Sequence, residues 1–426
     1  MANANHRPNP LMTTLKSNWF YVALVLFLIV FPHLIGWLTG EGPFGIQRGR
    51  RFMVIGQSVT QQLALAQVFI FGILAMSYNL MFGFSGVISF GHALFFGAGG
   101  YTLGILMEKA GLDPTTGFIL GVVLGIVLAG GLSFIIGLVS LRLRGVYFAV
   151  FTLAIAESFA IYFSRFQPTG AEDGFTIRSL PEWIDPTRNP LTFYYIALAG
   201  VVLTFFFIRR LMHSPTGAIF LAIRENEQRA LAIGYNTLVY KVLAITVAGM
   251  MASGAGMLHV ILNSKKIGPQ LLGVNFTVEP LLGTIIGGTG TFTGPVIGAA
   301  GLFLGERALR GAQLPLSTLF VGAVILMLVL AWLAYRHYRQ HQTWRSYYTM
   351  GALLVLLALV IMLGVWAQQG DIVVDIGSSW EVLLGISFVL VVMVFPLGVV
   401  GTWTRWRLNR KLKPEQNPIL RAAAGD

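Results

Sequence analysis

Long apolar stretches, separated by short polar or basic gaps, run along almost the whole chain. They lack the period-two alternation of half-buried strands. Several approach the ~20 residues that a helix needs to cross the hydrocarbon core of a bilayer. The pattern predicts spans at residues 19–39, 58–82, 86–107, 118–139, 145–164, 191–211 and 241–262, then a Gly-rich stretch at 278–306, then spans at 317–336, 347–366 and 379–401. No backbone polar group can stay unpaired in lipid, so such segments must be helices. The expected fold class is all-α, a polytopic transmembrane helical bundle.

Charge assigns the sides. Lys and Arg gather in the gaps, at Arg142 and Arg144, Arg209 and Arg210, Arg336 and Arg339, and Arg405 to Lys413. Basic residues retained on the cytoplasmic side give this distribution. With the tail after residue 402 inside, the acidic loop at Asp371 and Asp375 falls outside, 336–345 inside and 307–316 outside. With the loop at 212–240 inside, residues 263–277 also fall outside. Both statements hold only if 278–306 crosses an even number of times, yet at 1.5 Å rise per residue it is too short for two full helices across ~30 Å. It is therefore expected to be a broken or re-entrant pair with its break at Gly287-Gly288-Thr289-Gly290-Thr291. Non-helical backbone at that depth must face protein or a water-filled cavity. Arg48, Arg50 and Arg51 suggest an inside loop, whereas alternation counted from Arg142 puts them outside. A second re-entrant piece near 84–96 would reconcile the two.

Composition narrows the classes further. Of 426 residues, 55% are apolar and only 11% charged, and the mean hydropathy is +0.74, where soluble domains carry about 25% charge. The first apolar run follows a short basic start but precedes no clear small-residue cleavage site, so it reads as the first membrane helix. The net charge of +12 belongs to the gaps between spans and not to a nucleic-acid surface. There are no cysteines, which excludes thiolate metal sites and nucleophiles, and the seven histidines form no HExxH. Glycine is abundant. Small-xxx-small pairs at Gly121/Gly125, Gly294/Gly298 and Gly301/Gly305 would allow close helix approach.

Four segments carry polar groups where lipid would penalise them. In 208–240, Ser214-Pro215 predicts a helix start and Gly234 its end near Ile233. Glu225 and Arg229 are an i,i+4 pair, and Ile219, Ile223 and Ala230 lie on roughly one face. This is either a surface helix at the lipid headgroups or a docking element for a soluble partner. Glu157 lies in an apolar run, where a mid-membrane carboxylate costs roughly 2.5–3.5 kcal/mol, so it should face the bundle interior or a polar cavity. Asn79, Ser85, Ser89 and His92 interrupt the apolar run at 78–101 and suit a translocation path, although a satisfied buried histidine is the commoner case. The run Gly287 to Gly294 has glycines but neither the Gly-Lys-Ser/Thr nor the strand–turn–helix context of a nucleotide loop, so the chain carries no ATP site of its own.

These stretches, in order, resemble the permease subunits of ABC importers for branched-chain amino acids, closest to the LivM-type of their two homologous permeases. The resemblance rests on Tyr78-Asn79-Leu80 with Gly83-Phe84-Ser85-Gly86 and Ser89 to Ala93; on Leu141 to Ala149 with Thr152, Leu153 and Glu157; on Ser214 to Gly217 with Ala222 to Glu227, Ala230, Gly234 and Lys241; on Gly287 to Ala299; and on the ending Phe395-Pro396-Leu397-Gly398-Val399-Val400-Gly401. It covers roughly 54–306 and 379–402. It implies an ABC importer permease in the bacterial inner membrane, paired with a homologous LivH-like permease, two cytoplasmic ATP-binding subunits that hold ATP and Mg, and a periplasmic substrate-binding protein. This chain itself would bind no cofactor. It further implies that Arg224, Glu225, Asn226, Glu227, Arg229, Ala230 and Gly234 belong to a coupling helix entering a groove on the ATPase. Asn79, Ser85, Ser89, His92, Glu157, Gly287, Gly288, Thr289, Gly290 and Thr291 are the translocation-path candidates. Relatives for urea or short amides look alike, so the solute stays open. The expected organisation is a cytoplasmic tail at 1–18, a core at 19–306 including the loop at 212–240, an insertion at 307–378 with two added spans, a last span at 379–402 and a basic cytoplasmic tail at 403–426. The insertion departs from the family pattern.

Overall fold

In a computed structural model the chain folds as α1 (Pro10–Thr39), β1 (Ile46–Arg48), β2 (Met53–Ile55), α2 (Gln57–Asn79), α3 (His92–Glu108), α4 (Pro114–Ser140) and α5 (Val146–Arg165). After these come β3 (Phe175–Thr176), α6 (Pro190–Met212), α7 (Pro215–Glu225), α8 (Glu227–Ala232), α9 (Thr237–Leu262), β4 (Lys266–Ile267), α10 (Asn275–Gly287) and α11 (Gly294–Leu309). The structure describes residues 10–40, 42–48, 53–143, 145–263, 265–309, 313–315, 373–375, 385, 395 and 398–402. The spans expected at 317–336 and 347–366, most of 379–401 and the tail at 403–426 lie outside these residues. Residues Phe303–Val389 form a second compact unit, in which β5 (Gln313–Pro315) pairs antiparallel with β6 (Val373–Asp375).

Among the described residues six helical stretches are long and apolar enough to cross a membrane: Tyr21–Thr39, Gln57–Phe84, Pro114–Ser140, Val146–Arg165, Pro190–Met212 and Thr237–Leu262. The fold is an all-α polytopic bundle, and the strands among the described residues form short two-stranded pairs. The core is built where α3, α4 and α9 pack against one another and α2 packs on α6 and α9. Glycine permits the approach. A Cβ on Gly256 would fall 1.9 Å from the Phe96 carbonyl oxygen, and one on Gly125 would fall 2.2 Å from the Met257 methyl. Tyr78, Phe95, Phe96, Phe193 and Tyr194 fill the interior.

Two broken segments depart from plain crossings. The stretch expected to span 86–107 is helical only from His92. Its predecessor α2 runs on through a π-helical turn, Leu80–Phe84, and the chain then turns at Gly86 (φ +75°). Residues 85–91 climb back until His92 meets Ser77 of α2, Oγ to Nε2 2.8 Å. At 17 residues, α3 is about 26 Å long and starts inside the membrane span. The second break is the expected one: α10 and α11 form an antiparallel hairpin whose non-helical tip spans 288–293. Gly283 packs on Ala299, and Gly287 on Gly294.

The bundle thus has two ends. One carries the tip, the end of α2, and α7 and α8. The other carries the loop at 166–189 and β4. The β1–β2 hairpin belongs to the second end, since Val54 N donates to Thr187 O (3.0 Å). Arg48 therefore follows the alternation of spans and departs from the side its charge suggested.

Proline in α1 explains how that helix attaches. Pro32 has no N–H, so the Leu28 carbonyl loses its helical donor. The Tyr194 hydroxyl of α6 supplies one instead (2.7 Å), and Tyr195 donates to Ile29 O (3.0 Å). Tyr194→Phe should cost about 0.5–2 kcal/mol. It should lower the thermal midpoint in detergent more than Tyr195→Phe, because the Tyr194 ring is fully buried. Equal losses from the two would refute this reading.

Candidate functional site

The segment between α6 and α9 opens with Ser214 and Pro215, where Pro at the first helical position needs no donor. A single helix to Ile233 does not form. The chain breaks at Asn226 (φ −159°, ψ 102°), whose side chain then caps α8 by accepting from Arg229 N at 2.9 Å. The break takes Glu225 and Arg229 off a common helix, and they do not pair. Gly234 (φ +93°) follows the end of α8. Ile219, Ile223 and Ala230 bury together with Tyr240 packed on them, so the apolar face points into the bundle. Arg224, Glu225, Gln228 and Arg229 are left exposed.

Glu227 behaves differently from its neighbours. It accepts from Lys241 Nζ (2.6 Å) and Thr237 Oγ1 (3.0 Å), closing α8 onto the first turn of α9. Sequence reading placed Lys241 only within the family motif and missed Thr237, and the 10- and 14-residue separations give no periodic signal.

Behind α7 the two broken segments meet. Asn79 grips the hairpin tip twice, with Oδ1 accepting from Gly290 N and Nδ2 donating to Thr291 O, both 2.9 Å. Arg224 Nη1 donates to the Gly83 carbonyl in the π turn. Thr291 Oγ1 closes the tip on itself by donating to Gly288 O (2.7 Å) and accepting from Gly294 N (3.1 Å). Gly288 (φ +125°) and Gly290 (φ +73°) adopt backbone that L side chains rarely take. Thr289 lies in the turn between them.

The remaining path candidates are enclosed. Ser85 Oγ donates to Met81 O (2.6 Å), Ser89 Oγ accepts from Gly91 N (3.2 Å), and His92 lies between the rings of Tyr78 and Phe95. Ser85, Ser89 and His92 are all buried. The Ser85 bond ties the segment to the π turn that ends α2, and His92 ties the start of α3 to Ser77 of α2, whereas the Ser89 bond closes the segment on itself. Thr152, Thr277 and Thr284 do similar work, donating to or accepting from backbone at Phe90, Ala93 and Ala75. They carry the same sequence signal as Asn79, polar groups inside apolar runs, and were overlooked.

Glu157 does not reach the interior of this chain. Only Phe148, Ala149, Thr152 and Ala156 of α5 are buried, and Glu157 sits partly exposed at the edge of that strip with no bonded partner among the described residues. Beside the foot of α5 lies a cavity of about 870 Å³, bounded by Gly86–Ile88, Phe90, Leu141–Leu143, Glu227, Leu231 and Lys241. Among the described residues no group of three or more His, Asp or Glu side chains is placed to hold a metal ion.

Comparison with known proteins agrees with this architecture. The family described as branched-chain amino acid transport system permease component matches residues 62–330. Over 344 residues the chain is 25% identical to the high-affinity branched-chain amino acid transport system permease protein LivM of Escherichia coli (strain K12), covering 74% of each chain. It is also 24% identical, over 258 residues, to the probable branched-chain amino acid transport permease protein LivM of Methanocaldococcus jannaschii, covering 53% of this chain and 74% of that one. No solved structure gives a significant match. With more than half of its length inside the match, the chain belongs to the family of permease components of branched-chain amino acid transport systems.

Proposed function

We propose that this chain forms half of the membrane pathway of an ABC importer for leucine, isoleucine and valine, in the bacterial inner membrane. In this reading a homologous LivH-like permease forms the other half. Two cytoplasmic ATP-binding subunits hold ATP and Mg and supply the energy, and a periplasmic binding protein delivers the solute.

The observation that carries the proposal is the α7–α8 pair. It buries an apolar face in the bundle and leaves Glu225, Gln228 and Arg229 exposed between two spans. That end also collects Arg142, Arg209, Arg210, Arg224, Arg229 and Lys241, against Glu225 and Glu227. The excess of basic residues supports a cytoplasmic side, where the ATPases would sit. Closure of the ATPases on ATP would push α7 and α8, and the spans would rock between outward and inward openings around a central path. The exposed face of α5 supports a shared path, since a carboxylate left unpaired at membrane depth needs protein or water against it. Glu157 would meet that need at the seam between the two permeases.

Glu225 is the clean probe of docking, because it is exposed and has no bonded partner among the described residues, whereas Glu227 holds α8 to α9. Glu225→Lys should leave the permease folded and reduce recovery of the ATPases roughly fivefold or more, as expected when a rim charge is reversed. Pull-down from detergent with both permeases expressed measures this, and undiminished recovery would remove α7 from the docking surface. The solute is tested by uptake of labelled leucine, and of urea, into vesicles holding the full complex. Uptake of urea alone would replace the amino acid reading.

A further inference from the structure

The ends of two helices converge on one arginine. The π turn Leu80–Phe84 closes α2, and α10 closes at Gly287, directly before the tip. A helix C-terminus carries unpaired carbonyls and the negative end of its dipole, and a cation is favoured there. Arg224, in the last turn of α7, is that cation. Its guanidinium bonds the Gly83 carbonyl and lies against Gly290: a Cβ on Gly290 would fall 2.4 Å from Arg224 Nη1. A Cβ on Gly83 would fall 1.8 Å from Asn79 Oδ1 and 2.7 Å from Gly290 N. Only glycine at 83 and 290 lets backbone, arginine and asparagine close to this distance. No carboxylate among the described residues pairs with Arg224.

An independent contact joins the same parts. The ring of Phe292, in the tip, stacks on His213 in the link from α6 to α7 (5.7 Å, 18°) and packs on Phe84 at the end of α2 (5.5 Å). The α7 segment is thus fastened to the hairpin tip by a polar seam and an aromatic seam. The aromatic seam also reaches α6, since the Phe292 ring meets Phe205 edge-on (6.5 Å).

We infer that Arg224 and Asn79 are positioning residues that make α7, the end of α2 and the α10–α11 tip move as one piece, so that displacement of α7 is delivered to the tip. This rests on the proposed docking role of α7. Tethering one loop to two helix ends also explains why both membrane breaks occur at the same end and in contact. A tip free of α7 would leave ATP hydrolysis running without a matching movement of the path.

The test uses the complete importer, with both permeases, the ATPases and the binding protein, reconstituted in vesicles. Uptake and ATP hydrolysis are measured together for Arg224→Gln, Asn79→Leu and the double variant, with recovery of the ATPases measured alongside. Arg224→Gln and Asn79→Leu should each retain the ATPases and lose roughly tenfold in solute moved per ATP, within the range of ordinary coupling free energies. The double variant should be no worse than either alone, because both cut the same linkage. Arg224→Lys, which keeps the charge but not the fork, should fold and fall between wild type and Arg224→Gln, and it serves if Arg224→Gln fails to accumulate. Losses that multiply in the double variant, or an unchanged ratio, overturn the inference. Loss of the ATPases from Arg224→Gln overturns it too, since Arg224 would then face the ATPase, while the docking reading would stand. A wild-type permease that recovers no ATPase would instead refute the docking reading itself.

Discussion

Gly298→Val should leave almost no folded protein to purify, whereas Gly301→Val, one helical turn away, should behave as wild type. A side chain at Gly298 would enter backbone. Its Cβ would fall 1.9 Å from the Gly283 carbonyl oxygen and 2.8 Å from Gly287 N, on the opposite arm of the hairpin. Neither atom is the end of a flexible side chain, so α10 and α11 would have to part. That costs more than the ~1–3 kcal/mol of ordinary overpacking. It would also pull the tip from Asn79 and expose backbone at membrane depth. A Cβ on Gly301 meets nothing within 4 Å among the described residues. Gly298→Ala already carries the colliding atom and should fail as well, which separates backbone collision from side-chain volume. Size-exclusion chromatography of the tagged protein in detergent reads all three. A monodisperse Gly298→Val peak at wild-type height would disprove the close approach.

The same glycines mark what sequence can and cannot convey. Spans such as 118–139 and 191–211 were legible because lipid demands long apolar helices, and the structure extends them only to Pro114–Ser140 and Pro190–Met212. The broken pair was legible from length and parity, since 278–306 had to cross evenly and could not cross twice. Small-residue spacing alone was ambiguous. It flagged Gly301 as strongly as Gly298, and only the three-dimensional path shows that, among the described residues, one meets the opposite helix and the other meets none. The helix through 214–233 failed at Asn226 because an asparagine inside a helical pattern is equally good as a cap for a new one. Charge misplaced the loop at Arg48 because the basic rule is a statistical bias, whereas alternation of spans is geometric. Candidate path residues were chosen as polar groups in apolar runs. That rule finds them without distinguishing a side chain that faces a solute from one that ties a broken helix together, and Ser85 and His92 make bonds of the second kind.

Lys265→Met should destabilise the protein by about 3–5 kcal/mol, through a carboxylate at the end opposite α7. Asp185 is almost fully buried, and Lys265 Nζ meets its Oδ2 at 2.7 Å. Thr187 adds two bonds to Oδ1, from its backbone N (2.9 Å) and its hydroxyl (2.7 Å). Burial alone would raise the Asp185 pKa, but the bonds from Lys265 and Thr187 outweigh it and hold the carboxyl below its ordinary value. A depressed folded-state pKa means that the group's contribution is complete above the ordinary carboxylate value of about 3.9 and is lost as pH falls through the folded value. Removing Lys265 leaves burial with less opposition, and the charged form becomes the costly one. The deficit of Lys265→Met should therefore be full at neutral pH and shrink as the medium is acidified toward about pH 4, where protonation relieves the stranded charge. Adding Asp185→Asn should restore part of the loss at neutral pH, because a neutral amide still accepts from Thr187. The consequence is local before it is global. Lys265 O accepts from Ile177 N (2.9 Å), and β4 beyond it pairs with β3, so the ion pair fixes the loop at 166–189 across the turn between α9 and α10. Thermal unfolding in detergent across pH reads the effect. A deficit that stayed constant with pH, or that Asp185→Asn deepened, would show that Lys265 acts through packing and not through charge.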